Sequence, residues 1–129
     1  MNKIVEVLEN KTDLIKGNPV SEKDIVLAQE RLKIKFAEDY AQYLMNYGIV
    51  AYEGHEITGL SKSERTNVVC VTEKIRNAYQ NLLEDLYVIE ETNIDDIIIW
   101  QSSDGYVYMT IGDSVPRKVY KSLAEYMAE

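Results

Sequence analysis

The sequence predicts an α+β fold: N-terminal helices packed on one face of a mostly antiparallel sheet, with an inserted helix and a short C-terminal helix. Three observations lead there. Apolar residues recur at the helical period through the first third of the chain. Beyond residue 86 the period changes to that of strands. Asp104-Gly105 then marks a tight hairpin turn between two strand-like runs. Helices first and strands afterwards, with no repeat, linker or low-complexity tract, read as one domain over residues 1–129.

The elements follow in order. Ile4, Val5, Leu8, Leu14 and Ile15 predict a short amphipathic helix over 2–14, broken by Gly17 and Pro19. Ser21 caps a second helix, with Asp24 three residues on and Ile25, Ala28 and Leu32 as its stripe. In "KFAEDYAQYLMNYGI" (35–49), Phe36, Tyr40, Tyr43, Leu44 and Tyr47 share one face of a third helix closed by Gly48. The chain has ten Tyr and one Phe. A tyrosine stripe on a helix face serves either as core, with each hydroxyl finding a partner, or as a recognition surface. The period favours the core.

"IVAYEGHEITGL" reads as a paired extended segment around Gly54. Ser61 to Glu64 has the pattern of a capping box, followed by the stripe Val68, Val71, Thr72, Ile75, Tyr79 and Leu82. "LYVIEE" (86–91) is a strand, and residues 96–122 read as a three-strand meander. A two-residue loop at Asp104-Gly105 pairs Trp100 with Met109 and Ile98 with Ile111. That register puts Ile98, Trp100, Val107, Met109 and Ile111 on the core face, and Gln101, Tyr106, Tyr108 and Thr110 on the other. The other face is either free or a second buried face beneath a helix. Ser122 caps the closing helix "SLAEYMAE".

Composition narrows the chemistry. One Cys (Cys70) and one His (His55) allow neither an internal disulfide nor a Cys/His zinc cluster. Cys70 reads as a small buried hydrophobe and His55 as a turn histidine. No phosphate loop, nucleophile elbow or EF-hand spacing occurs. Glu90-Glu91 and Asp95-Asp96 are adjacent pairs, which in a strand point to opposite faces and form no carboxylate dyad. The expectation is a protein without catalysis, cofactor or metal. No apolar run reaches the length of a membrane span, and "MNKIVEVLENKTD" lacks the apolar core of a signal peptide, so a cytoplasmic location is expected.

The net charge of −8 is concentrated in one segment. Between Asn77 and Pro116 there is no Lys or Arg, while Glu84, Asp85, Glu90, Glu91, Asp95, Asp96, Asp104 and Asp113 supply the whole excess. Such a field disfavours nucleic acid and suits a basic protein partner, or else a solubilising face. The expected partner contacts are Glu90, Glu91, Asp95, Asp96 and Asp104, with Tyr106 and Tyr108 beside Asp104.

Three stretches resemble the SUKH superfamily, bacterial immunity proteins related to the yeast cell-wall assembly regulator. Val20, Ser21, Ile25, Glu30, Leu32, Ile34, Phe36, Tyr40, Tyr43, Leu44 and Gly48 match its N-terminal signature. "SSDGYVYMT" resembles its Asp-Gly-x-Val-Tyr hairpin, and Leu123, Tyr126 and Met127 its closing helix. Ala37 stands where Pro is usual, Ile49 where a second Gly is common, and "TNIDDIII" lacks the Gly-Asp pair that often precedes the central strand. The resemblance implies an immunity protein that binds and neutralises a cognate toxin, often a nuclease with a basic surface. The eukaryotic relatives imply an alternative: a non-catalytic binding module or regulatory scaffold for an endogenous protein partner.

Overall fold

The computed structural model describes residues 3–79 and 84–129. The order of elements is α1 (Lys3–Glu9), β1 (Ile15–Lys16), α2 (Glu22–Leu32), α3 (Glu38–Tyr47), β2 (Val50–Tyr52), β3 (His55–Ile57), α4 (Val68–Ala78), β4 (Leu86–Glu91), β5 (Ile97–Ser102), β6 (Val107–Ile111), β7 (Arg117–Tyr120) and α5 (Leu123–Ala128). The strands form two antiparallel sheets, β1-β2-β3 and the meander β4-β5-β6-β7. The expected α+β architecture holds.

Local signals account for the helix boundaries. The Ser21 hydroxyl accepts the Asp24 amide at the start of α2, and the Ser122 hydroxyl accepts the Glu125 amide at the start of α5. Two expected boundaries move. The first helix stops at Glu9, and Ile15–Lys16 instead pair with Ala51 and Val50 as a strand. The Asp13 carboxylate accepts the Glu53 amide, which ties this segment to the β2–β3 turn. The capping box at Ser61 is not used as a cap, because its hydroxyl meets Thr66 and the Ser63 carbonyl inside the loop. Asn67 caps α4 in its place, its Oδ1 accepting the amides of Val69 and Cys70. Leu82 lies outside the described residues.

The β5–β6 hairpin corrects the expected register. Its loop has three residues, Ser103, Asp104 and Gly105, because Ser102 N–H donates to the Tyr106 carbonyl. Gly105 takes φ of +100°, and the Asp104 carboxylate accepts both the Ser102 hydroxyl and the Tyr106 amide. Trp100 therefore pairs with Tyr108, and Ile99 with Met109. A shift of one residue exchanges the faces of the whole partner strand. Tyr108 and Thr110 share the face of Trp100, whereas Val107 and Met109 turn the other way.

Both faces of the large sheet are covered. One carries Tyr87, Ile89, Ile99 and Val107 into a core shared with α1, α2, α3 and α5. The other carries Leu86, Val88, Ile98 and Trp100 against Val71 and Ile75 of α4. Trp100 is fully buried, and its indole N–H donates to Thr110 Oγ1 at 2.9 Å. Tyr40, Tyr43 and Tyr47 are buried as the helical period predicts.

Two glycines allow the loops before α2 and after β3 to pass close to the C-terminal end of α3. A Cβ on Gly59 would lie 1.8 Å from the Gly48 carbonyl oxygen, and one on Gly48 would lie 2.0 Å from the Asn18 oxygen. Gly54, in the β2–β3 turn, has open space around it. Gly59→Ala is therefore expected to destabilise far more than Gly54→Ala, whose φ of +82° alone costs about 1 kcal/mol. Trp100→Ala is expected to cost about 3–5 kcal/mol. Urea unfolding of the three variants measures all of these, and a Gly59→Ala no worse than Gly54→Ala contradicts the packing.

Candidate partner-binding surface

The residues singled out from the sequence fall into three places. Glu90 is the first. A bulge at Ile89 interrupts the pairing of β4 with β5, so that Val88 faces Trp100 while Glu90 faces Ile99. Ile89 turns its carbonyl to the Thr58 amide of the small sheet. Glu90 then points inward, 3 % exposed, and is not a surface residue. Its carboxylate accepts the Tyr126 hydroxyl from α5 and lies 3.0 and 3.1 Å from His55 Nδ1 on β3. Burial, then the Glu90 charge, push the Tyr126 phenol far above its usual pKa. Glu90 joins small sheet, large sheet and C-terminal helix; it is a structural carboxylate. Glu91 points to the opposite face and pairs with Lys74 of α4 at 2.9 Å, as expected for strand neighbours.

Asp104, Tyr106 and Tyr108 occupy the second place, at the β5–β6 turn. Asp104 is engaged within its own turn. The Ser102 hydroxyl, with help from the Tyr106 amide and Lys118, holds its carboxyl below the usual range. Lys118 Nζ sits 3.6 Å from the centre of the Tyr106 ring and 6.0 Å from that of Tyr108. Tyr108 also packs on the Trp100 core. Neither tyrosine is on a face turned away from that core, since Tyr108 is the direct neighbour of Trp100.

Asp95 and Asp96 occupy the third place, at the opposite end of β5. Six residues of strand separate the two ends, about 20 Å. The β4–β5 turn (92–96) lies beside the β6–β7 turn (112–116), and the Gly112 amide donates to the Asp96 carbonyl at 3.1 Å. Asp95, Asp96 and Asp113 are exposed there, and among the described residues none of them makes an ion pair. Asn93, Asp95 and Asp96 all take positive φ, between +52° and +60°. Asn and Asp tolerate this conformation better than other side chains do.

Sequence reasoning missed the apolar part of this end. Ile94, Ile111 and Val115 are 62, 51 and 73 % exposed, all on the two turns or the strand end between them. The sequence reading places Ile111 in the core; at the end of β6, opposite half-buried Ile97, it is instead open to solvent. The signal available for the others was an Ile inside Asn-Ile-Asp-Asp and a Val before Pro116, both within turn sequence.

Chemistry elsewhere is sparse. His55 is the one histidine and its Nδ1 faces Glu90; Cys70 is half-buried on α4 and free. Among the described residues no group of three or more His, Cys, Asp or Glu is placed to hold a metal ion. No described helix is long and apolar enough to cross a membrane.

The whole chain, residues 1–129, matches the family model described as SMI1-KNR4 cell-wall, within SUKH. The chain belongs to the SMI1-KNR4 family. No curated protein matches it. The family is generally non-catalytic and points to protein–protein interaction.

Removing the Tyr126 hydroxyl tests the Glu90 junction. Tyr126→Phe leaves a buried carboxylate short of one donor, so a loss of about 1–3 kcal/mol in urea unfolding is expected. Unchanged stability would show that the junction does not hold the three elements together.

Proposed function

We propose that this SMI1-KNR4 family chain is an immunity protein that binds and neutralises a cognate bacterial toxin by protein–protein contact. It has no catalysis or cofactor of its own, acts in the cytoplasm, and recognises a partner with a basic surface. The observation that carries this reading is the base-free segment from Asn77 to Pro116, whose Asp95, Asp96 and Asp113 stand exposed and, among the described residues, without ion pairs. An unbalanced field of that kind steers a cationic partner and repels nucleic acid. A nuclease toxin, whose substrate is anionic, carries the complementary charge. Contact is drawn to Asp95, Asp96 and Asp113 rather than to Glu90, which is buried, to Glu91, which pairs with Lys74, or to Asp104, Tyr106 and Tyr108, which are occupied with Lys118 and their own turn.

The family description, which names a cell-wall protein, favours a second reading. In it the chain is a regulatory scaffold for an endogenous protein. Co-expression with a toxin domain encoded beside the gene separates the two. Immunity requires that this chain restore growth; growth arrest despite a folded chain would leave the scaffold reading.

With the toxin in hand, the charge argument gives a rate. Asp95→Lys with Asp96→Lys is expected to slow association about tenfold or more while circular dichroism stays native. Wild-type association is expected to slow as salt rises from low to physiological strength. An association rate unchanged in both tests would reduce the acidic segment to a solubilising face.

A further inference from the structure

Seven large hydrophobic side chains are well exposed among the described residues: Ile15, Val26, Leu27, Met45, Ile94, Ile111 and Val115. The first four lie on β1, α2 and α3. Ile94, Ile111 and Val115 are gathered at one end of the large sheet, where the 92–96 and 112–116 turns lie side by side. Ile111 closes β6 opposite Ile97, at the rim of the helix-covered core. Exposed Asp95, Asp96 and Asp113 lie on the same two turns. Glu91 and Lys74 form a neutral pair at the border, and of the two bases that immediately follow the second turn, Arg117 and Lys118, Lys118 lies over the Tyr106 ring.

We propose that this sheet end is the docking surface for a cationic protein partner, with Ile94, Ile111 and Val115 as its apolar centre. The inference rests on the reading of the chain as a protein-binding module. An apolar centre inside a polar rim is the anatomy of a specific protein interface. The rim selects the occupant. Three exposed aspartates, which make no ion pair among the described residues, match Arg or Lys side chains on a partner. They would face one another in a second copy of this chain and would repel an anionic lipid surface or a nucleic acid. The Asp104 end lacks both features, since its acid is bound within the turn and its tyrosines already hold Lys118.

Site-specific photocrosslinking in cells that naturally make the chain tests this surface. A benzoyl-phenylalanine replaces Ile94 in one full-length variant and Tyr106 in another. Position 94 is expected to capture a protein which, once identified by mass spectrometry, carries a basic surface, and Asp95→Lys with Asp96→Lys is expected to abolish the adduct. Position 106 is expected to give none. Purified, that protein should bind Ile94→Ser with Val115→Ser about tenfold or more weaker than wild type. Both side chains are exposed, and a native circular dichroism spectrum confirms that the variant folds. No adduct at 94, one from 106 alone, capture of an acidic protein or of a second copy, or an adduct that survives charge reversal each overturns the surface. The growth assay reads separately. Protection without an adduct at 94 removes the surface and keeps the immunity reading, whereas a basic partner that is not a toxin, with no protection, does the reverse.

Discussion

Thr58 is the joint on which the rest of the structure depends. Its amide donates to the Ile89 carbonyl and its hydroxyl to the Val88 carbonyl, which fastens the small sheet to the bulged edge of β4. Its own carbonyl accepts the hydroxyls of Tyr40 and Tyr43, at 3.1 and 3.0 Å, which fastens α3 to the same point. Tyr43 also accepts the Val50 amide. Tyr87 extends the layer, accepting the Ala37 amide and donating to Gln101. Gln101 passes the chain to Asp39, which accepts the Leu123 amide at the start of α5. A buried phenol left without a partner would cost about 1–3 kcal/mol. Among the described residues no buried side-chain polar atom lacks one. The tyrosines are core, and their hydroxyls hold the layers in register, a role Phe cannot fill.

That frame consumes most of the chemistry-bearing side chains. Glu90, the sole histidine, Tyr126 and Gln101 all serve junctions between elements. Both faces of the large sheet lie under helices, so what remains for function is the turns at its ends. One end is neutralised by its own contacts. The other holds exposed carboxylates and apolar side chains on a backbone with three non-glycine residues at positive φ. The arrangement suits recognition by contact through these turns, on a frame whose own buried polar side chains, among the described residues, are already satisfied.

Much of the frame was legible in the sequence because it rests on period and capping. Ser21, Ser122 and the stripe from Phe36 to Tyr47 act as short-range rules require. What was not legible depends on one residue of loop length or on tertiary pairing. Asp104-Gly105 looked like a two-residue turn, but the Asp104 carboxylate and Gly105 at positive φ build a three-residue one, and that difference moved Tyr108 onto the face of Trp100. Glu90 looked like part of an acidic surface because nothing near it in sequence announces the bulge, His55 or Tyr126. Asp95 and Asp96 were found by charge counting alone. Their apolar neighbours were missed because an exposed Ile inside a turn has no periodic signature.

Spectrophotometric titration of the tyrosines, followed together with circular dichroism, tests the hydrogen-bonded tyrosine core most directly. Burial raises the phenol pKa values of Tyr40, Tyr43 and Tyr87 well above 10, and burial with the Glu9 contact pushes Tyr47 up to about 12. A folded-state value above the unfolded one gives stability that is intact below pH 10. It is lost as pH rises further, at about 1.4 kcal/mol per pH unit for each phenol held neutral. The expected result is that these tyrosines stay protonated past pH 10 and then ionise together, in one transition that coincides with loss of the dichroism signal. Independent ionisation of nearly all the tyrosines near pH 10, with native dichroism retained, would contradict the account.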